Sequence, residues 1–223
     1  LDQALHARGE PERLFAERGV EGASLREIAS AAGHGNNNAV RYHFGSKQGL
    51  IQAIFRYRVT QMEPVRAQLL AKLEAAGLLA DARSLIELIT LPYFTLRAPD
   101  GTFSYPAFML QYLLQYRPKG VRHAADEAGA LSPALNRAQE LLRARIYYLD
   151  PETTDRRILN GMIVFIGAII NAENLKPKLD LEQYRAMIDD TLDQIVASLV
   201  IPRQTKQSVI MHDPAIFQRI GPA

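Results

Sequence analysis

The chain has no cysteine, which excludes disulfides and thiolate metal sites and suits a reducing, cytoplasmic compartment. It has no apolar run of membrane length. The longest, Ile158 to Ile170, has 13 residues, against the ~20 that a span requires. That run reads as a buried helix, covered on more than one side, in which Gly161 and Gly167 permit close approach. The N-terminal stretch is polar and lacks an apolar centre, so no signal peptide is expected. Neither sign of charge dominates, with 26 Lys and Arg against 24 Asp and Glu. There is little strand signal, no internal repeat and no low-complexity tract.

Marks of catalysis are also scarce. His6, His34, His43, His123 and His212 show no paired metal-ligand spacing. A Gly-x-Ser-x-Gly nucleophile elbow is absent. Gly45-Ser46-Lys47 lacks the earlier glycine and the Lys-before-Ser/Thr order of a phosphate loop. No cofactor or metal is implied. His43 has the chemistry of a general base, but it lies inside a segment with a different character.

That segment runs from Ser24 to Lys47. Ser24 followed by Glu27 is a capping box, which starts a helix by satisfying backbone N–H groups from both side chains. Leu25, Ile28, Ala29 and Ala32 then form one apolar stripe, and Gly33 suits a helix end. A short polar helix is expected to start among Asn36, Asn37 and Asn38. Val40 and Phe44 would turn inward, leaving Arg41, Tyr42 and His43 outward. Gly45 stops this helix and Ser46 caps the next. Two helices joined by a Gly-containing turn, the second rich in hydrogen-bonding groups, describe a helix-turn-helix.

The order Leu14-Phe15-Ala16-Glu17-Arg18-Gly19, Ser24-Leu25-Arg26-Glu27-Ile28-Ala29, Ala32-Gly33 and Tyr42-His43-Phe44-Gly45-Ser46-Lys47 resembles the N-terminal domain of TetR-family transcriptional regulators. The resemblance covers about residues 10 to 58. Between Gly33 and the aromatic run the chain is one residue longer than the commonest family pattern. Upstream, Gly9 and Pro11 restrict the first helix to a start near Glu10 or Pro11. What the resemblance implies is an all-α protein: a three-helix DNA-binding head (residues 1–48), a helical-bundle ligand-binding and dimerisation domain (49–201) and a C-terminal tail (202–223). It also implies a ligand-responsive regulator, most simply a repressor, on double-stranded operator DNA. Asn36, Asn37, Asn38 and Ala39 lie where the family reads the major groove; asparagine can pair with adenine and alanine can touch a thymine methyl. Arg26, Arg41, Tyr42, His43 and Lys47 match positions facing the backbone or flanking bases. Ser24 suits either a cap or a phosphate. Consistent with such a head, residues 1–58 carry 8 Lys and Arg against 6 Asp and Glu, whereas the remainder is balanced at 18 each.

Beyond the head the pattern predicts a long helix from Lys47 to about Ala76 with Pro64 as a bend, and helices over Asp81–Leu96, Ser104 (as cap) to Tyr116, Pro133–Tyr148, Pro151–Leu175 and Leu181–Leu199. Seven of the 17 aromatic residues fall between Tyr93 and Tyr116. Aromatic walls with a few polar groups suit a small hydrophobic effector, and Tyr93, Phe94, Arg97, Phe108, Gln111, Tyr112 and Asn160 are the candidate ligand residues, with core packing as the alternative for each aromatic. A homodimer is expected through the helices at 151–175 and 181–199, the latter presenting Met187, Ile188, Leu192, Ile195, Val196 and Leu199. The tail carries Ile210, Ile216, Phe217 and Ile220, which suit docking on the body or a partner. No membrane is involved. The rival classes are an enzyme, and a helical adaptor or small-molecule binder that does not bind DNA; neither needs an asparagine-rich helix.

Overall fold

The computed structural model describes residues 9–31, 38–98, 101–126, 131–175 and 177–203, with the backbone alone for 38–40. The first helix, α1 (Glu10–Gly22), starts where Pro11 can occupy a first turn. Arg13 pairs with Glu10 and Glu17 along its surface, and a non-helical Gly19 kinks it. The capping box of α2 (Leu25–Ala31) forms as the residues dictate: Glu27 N–H donates to Ser24 Oγ at 3.2 Å, and Ser24 N–H donates to Glu27 Oε2 at 2.9 Å. After α3 (Asn38–Phe44) comes α4 (Lys47–Ala75), a 29-residue helix capped by Ser46, whose Oγ accepts from Gly49 N–H at 3.0 Å. Pro64 sits inside it.

Two expected helices are interrupted. The one over 81–96 is α5 (Ala82–Thr90), capped by Asp81, followed by a tighter 3-10 turn at Leu91–Leu96. Pro92 offers no N–H to continue the α ladder. The one over 104–116 is α6 (Ser104–Gln111), which widens into a π-helical turn over Tyr112–Tyr116. Ser104 does not cap it: Phe103 holds the cap position without a side-chain bond, and Ser104 Oγ meets Thr102 Oγ1 at 3.1 Å. Short 3-10 turns at Arg117–Lys119 and Ala124–Asp126 lead on to α7 (Pro133–Arg145). The last pair is α8 (Pro151–Asn174), capped by Asp150, and α9 (Leu181–Val200), with an Asp180/Gln183 capping box. There is no strand among the described residues, so the fold is all-α. No helix among them is long and apolar enough to cross a membrane.

One continuous core runs the length of the molecule, from Phe15 and Ile28 in the head through Phe55, Phe108 and Tyr112 to Phe165 and Leu192 in the body. The stripe on α9 divides: Ile188, Leu192, Ile195 and Leu199 are buried within the chain, while Met187 and Val196 are only partly covered. On α8, a Cβ at Gly161 would lie 3.0 Å from Ile195 Cγ2, so that glycine is what brings α8 and α9 together. Gly167 faces open space and Val164 is 45% exposed. This helix is therefore covered on one side and bare on another. The hydrophobic tail residues Ile210, Ile216, Phe217 and Ile220 lie outside the described residues.

Candidate nucleic-acid interface

The head is a small core with a polar outer face. Leu14, Phe15 and Val20 of α1, Ala23, and Ile28 and Ala29 of α2 are buried against Leu50, Ile51, Ile54 and Phe55 of α4. Phe44 packs against the same core from the end of α3. Arg18 donates to Glu27 at 2.7 Å, tying α1 to α2. The bonds from Ser24, and secondarily the charge of Arg18, hold the Glu27 carboxyl below its ordinary range. The α3–α4 corner depends on Gly49: a Cβ there would sit 2.0 Å from the Phe44 carbonyl oxygen. Nothing in the apolar periodicity marks that glycine, since the requirement comes from two backbones meeting.

The outward side chains of the helix-turn-helix fall into two groups. Arg26, Arg41 and His43 are exposed, and Tyr42 is 86% exposed with its ring edge-on to His43 at 5.6 Å. Among the described residues neither Arg26 nor Arg41 forms an ion pair. An exposed large aromatic and two exposed guanidinium groups within one helix-turn-helix suit phosphate and base-edge contact. Lys47 behaves differently. Its Nζ donates to the carbonyls of Val20 at 2.8 Å and Glu21 at 3.3 Å, closing the C-terminal end of α1. Ser24's hydroxyl is likewise engaged in its own cap. Asn36 and Asn37 lie outside the described residues, as do the side chains of Asn38 and Ala39, whose backbones form the first turn of α3.

The body holds several recesses, and the seven candidate ligand residues are distributed among them. Tyr93 and Tyr112 line a large one, a cavity of about 1180 Å³ between α4, α5, α7 and α8. Phe108 and Tyr112 also border a cleft of about 300 Å³ between head and body, although Phe108 is otherwise packed between Phe15 and Phe55 at 5.4 and 5.7 Å. Phe94 and Arg97 line a groove of about 1040 Å³ beside the start of α9. Gln111 bridges the two halves, its Nε2 donating to the Ala16 carbonyl at 2.6 Å. Asn160 is exposed on α8 and lines none of these recesses.

The floor of the large cavity contains residues that the sequence reading did not single out. His123 is buried, its Nδ1 accepting from Ala125 N–H at 3.1 Å, which leaves the proton on Nε2 to face the Tyr105 hydroxyl at 3.3 Å. Burial pushes its pKa down to about 4, so the ring is neutral at physiological pH. Arg66 is 2% exposed. Nearby, Arg58 and Glu12 form a buried ion pair at 2.8 Å between α4 and α1. Both arginines lie on the same helical stripe as Ile51, Phe55 and Met62, and charges placed on an apolar face are the signal the sequence offered for them.

The head thus defines a protein of the helix-turn-helix DNA-binding class. More specifically, residues 12–54 match the model of the family described as bacterial regulatory proteins, tetR family, and over that segment the chain resembles TetR-type DNA-binding transcriptional regulators. No curated protein matches the chain.

Proposed function

We propose that the chain is a homodimeric, ligand-responsive transcription factor, acting as a repressor that a small hydrophobic molecule releases from a palindromic operator. Its organisation would follow a head of residues 1–48, a regulatory body of 49–201 and a tail of 202–223. TetR-family regulators bind DNA, typically as dimers, and are generally non-enzymatic. The observation that carries the DNA-binding part is the exposed set Arg26, Arg41, Tyr42 and His43 in the matched segment, with no ion pair at Arg26 or Arg41 among the described residues. Arg26 and Arg41 would hold phosphates, Tyr42 and His43 the backbone or flanking bases, and Asn36, Asn37, Asn38 and Ala39 the base edges. Lys47 would support that face from behind, since its ammonium already closes α1.

The bare side of α8 supports dimerisation. Asn160, Val164, Gly167 and Asn171 recur at i, i+4, i+7 and i+11 and form one stripe, exposed at Asn160, Val164 and Asn171. Closed two-fold contacts are the commonest oligomeric solution, and a palindromic operator needs two heads about 34 Å apart or a multiple of it.

The test is binding of the full chain to duplex DNA across a salt series. Wild type should bind at low salt, with affinity falling linearly on logarithmic axes. Arg41→Ala and Arg26→Ala should each flatten that slope by about 0.9, the share of one phosphate that is no longer neutralised. Unchanged slopes in both would remove these residues from the interface. A wild type that binds no duplex at low salt would instead be a helical adaptor or a small-molecule binder.

A further inference from the structure

The 1180 Å³ cavity has a charged mouth and a largely apolar floor. Around the rim Arg117 pairs with Asp126 at 2.9 Å, Arg143 with Asp155, and Arg156 with Glu152 at 3.3 Å, beside the further rim charges Arg122 and Glu140. The floor is built from Met62, Tyr93, Met109, Leu113 and Met162, with Arg66 among them.

Arg66 has no such match. Its Nη2 makes only long contacts, 3.5 Å to Met62 Sδ and 3.4 Å to the Ile89 carbonyl, and its Nε and Nη1 are buried with no hydrogen-bond partner. No carboxylate lies within ion-pair distance of it among the described residues. The acid closest in sequence, Glu63, is near enough for its charge to act on Arg66 but forms no ion pair with it: its Oε1 accepts the Ala134 N–H at the start of α7, where Pro133 supplies none, and its Oε2 is buried without a partner. His123 is neutral and adds no charge. A buried, unpaired guanidinium is costly; it stays ionised because arginine does not deprotonate in proteins.

We infer that Arg66 is the anchor for a monocarboxylate effector, whose apolar tail lies along the methionine and aromatic floor of the cavity between α4, α5, α7 and α8. The carboxylate supplies the acceptors that Nε and Nη1 lack, at the short range that the Glu63 carboxylate does not reach. A dianionic head would leave a buried excess charge, and a neutral alcohol or ester would leave the guanidinium without an ion-pair partner. This inference rests on the reading of the body as an effector-binding domain.

The experiment titrates the full chain with decanoate, held below its micellar concentration, and with 1-decanol and methyl decanoate, reading affinity by calorimetry. Charge-assisted hydrogen bonds to a desolvated guanidinium should give decanoate about a tenfold or greater advantage over 1-decanol. In Arg66→Met the advantage should vanish through weaker decanoate binding, with 1-decanol affinity within about twofold of wild type. The unliganded Arg66→Met should melt higher than wild type, because it removes a buried guanidinium with two unpartnered nitrogens.

A second readout needs no variant: the carboxyl carbon of labelled decanoate bound to wild type should keep the chemical shift of an ionised carboxylate at pH values where the free acid is half protonated. Equal affinity for decanoate and 1-decanol, retained selectivity in Arg66→Met, or a bound carboxyl that protonates as it does in water would each overturn the inference. Wild type that binds none of the three probes would overturn the effector reading of the cavity, and this inference with it.

Discussion

Single side chains in this molecule are read by asking what each polar group is bonded to. His123 accepts at Nδ1, presents its proton at Nε2 to Tyr105, and is packed against Phe55 and Tyr112 at ring distances of 4.2 and 5.8 Å. Burial lowers its folded-state pKa to about 4, with Asp126 opposing and Arg117 and Arg66 reinforcing the shift. The unfolded chain therefore takes up the proton first as pH falls. Stability from this group is complete above about pH 6.5, is lost between about 6.5 and 4, and changes no further below that, for a total on the order of 3 kcal/mol. Urea unfolding at closely spaced pH values should show wild type losing about 1.4 kcal/mol per pH unit more than His123→Gln inside that window. Parallel curves for the two proteins would mean that the imidazole is solvated or already charged in the native state. Asp81, Asp126 and Asp150 are held below the ordinary carboxylate range, and their losses fall at lower pH in both proteins.

Among the helices, contact requirements separate residues that look alike in sequence. Gly161 and Gly167 occupy one apolar run, yet among the described residues only Gly161 meets a neighbour within the chain. Gly161→Leu should force α8 off Ile195 and lower the melting temperature of the protein. Gly167→Leu should leave the monomer fold intact and shift any monomer–dimer equilibrium toward monomer in analytical ultracentrifugation. A Gly167→Leu chain that remains as dimeric as wild type would place the subunit contact elsewhere. This difference also shows how far local pattern reaches. Caps at Ser24–Glu27 and Ser46 located the starts of α2 and α4, and proline and periodicity located α1, α8 and α9 to within a residue or two; the Asp150 cap and the Asp180–Gln183 capping box were not singled out in the sequence. Caps and periodicity did not separate α5 from its 3-10 continuation or reveal the π turn at Tyr112–Tyr116, where Pro92 and tertiary packing decide. The outward residues Arg26, Arg41, Tyr42 and His43 were legible from the motif. Arg66 and His123 were not singled out, because their burial arises from four helices and a loop that are distant in sequence.

Across the whole molecule, head and body share one core rather than meeting through a flexible linker. Phe15 packs on Phe108 and Gln111 donates to Ala16, while Glu12 and Arg58 are buried together. A regulator built this way transmits only what an effector's differential affinity for two shapes supplies, and the transmission is reciprocal. For any compound that releases wild type from DNA, operator DNA should weaken binding of that compound by the same factor. Gln111→Leu should shrink both factors together while leaving each separate affinity nearly unchanged. Factors as large in Gln111→Leu as in wild type would show that the coupling does not run through this bond. The 29 residues of α4 give a rod of about 43 Å, at ~1.5 Å per residue. Arg66 lies 19 residues from its DNA-proximal end, about 28 Å along that rod. A tilt of roughly 10° about the cavity would sweep the tip of the rod sideways by about 5 Å, more than the length of a hydrogen bond and close to the ~5.4 Å pitch of the helix itself. If Arg41 holds a phosphate as proposed, a pivot so far from the groove would work as a lever, turning a displacement at Arg66 too small to disturb the packing around it into the distance between touching that phosphate and missing it.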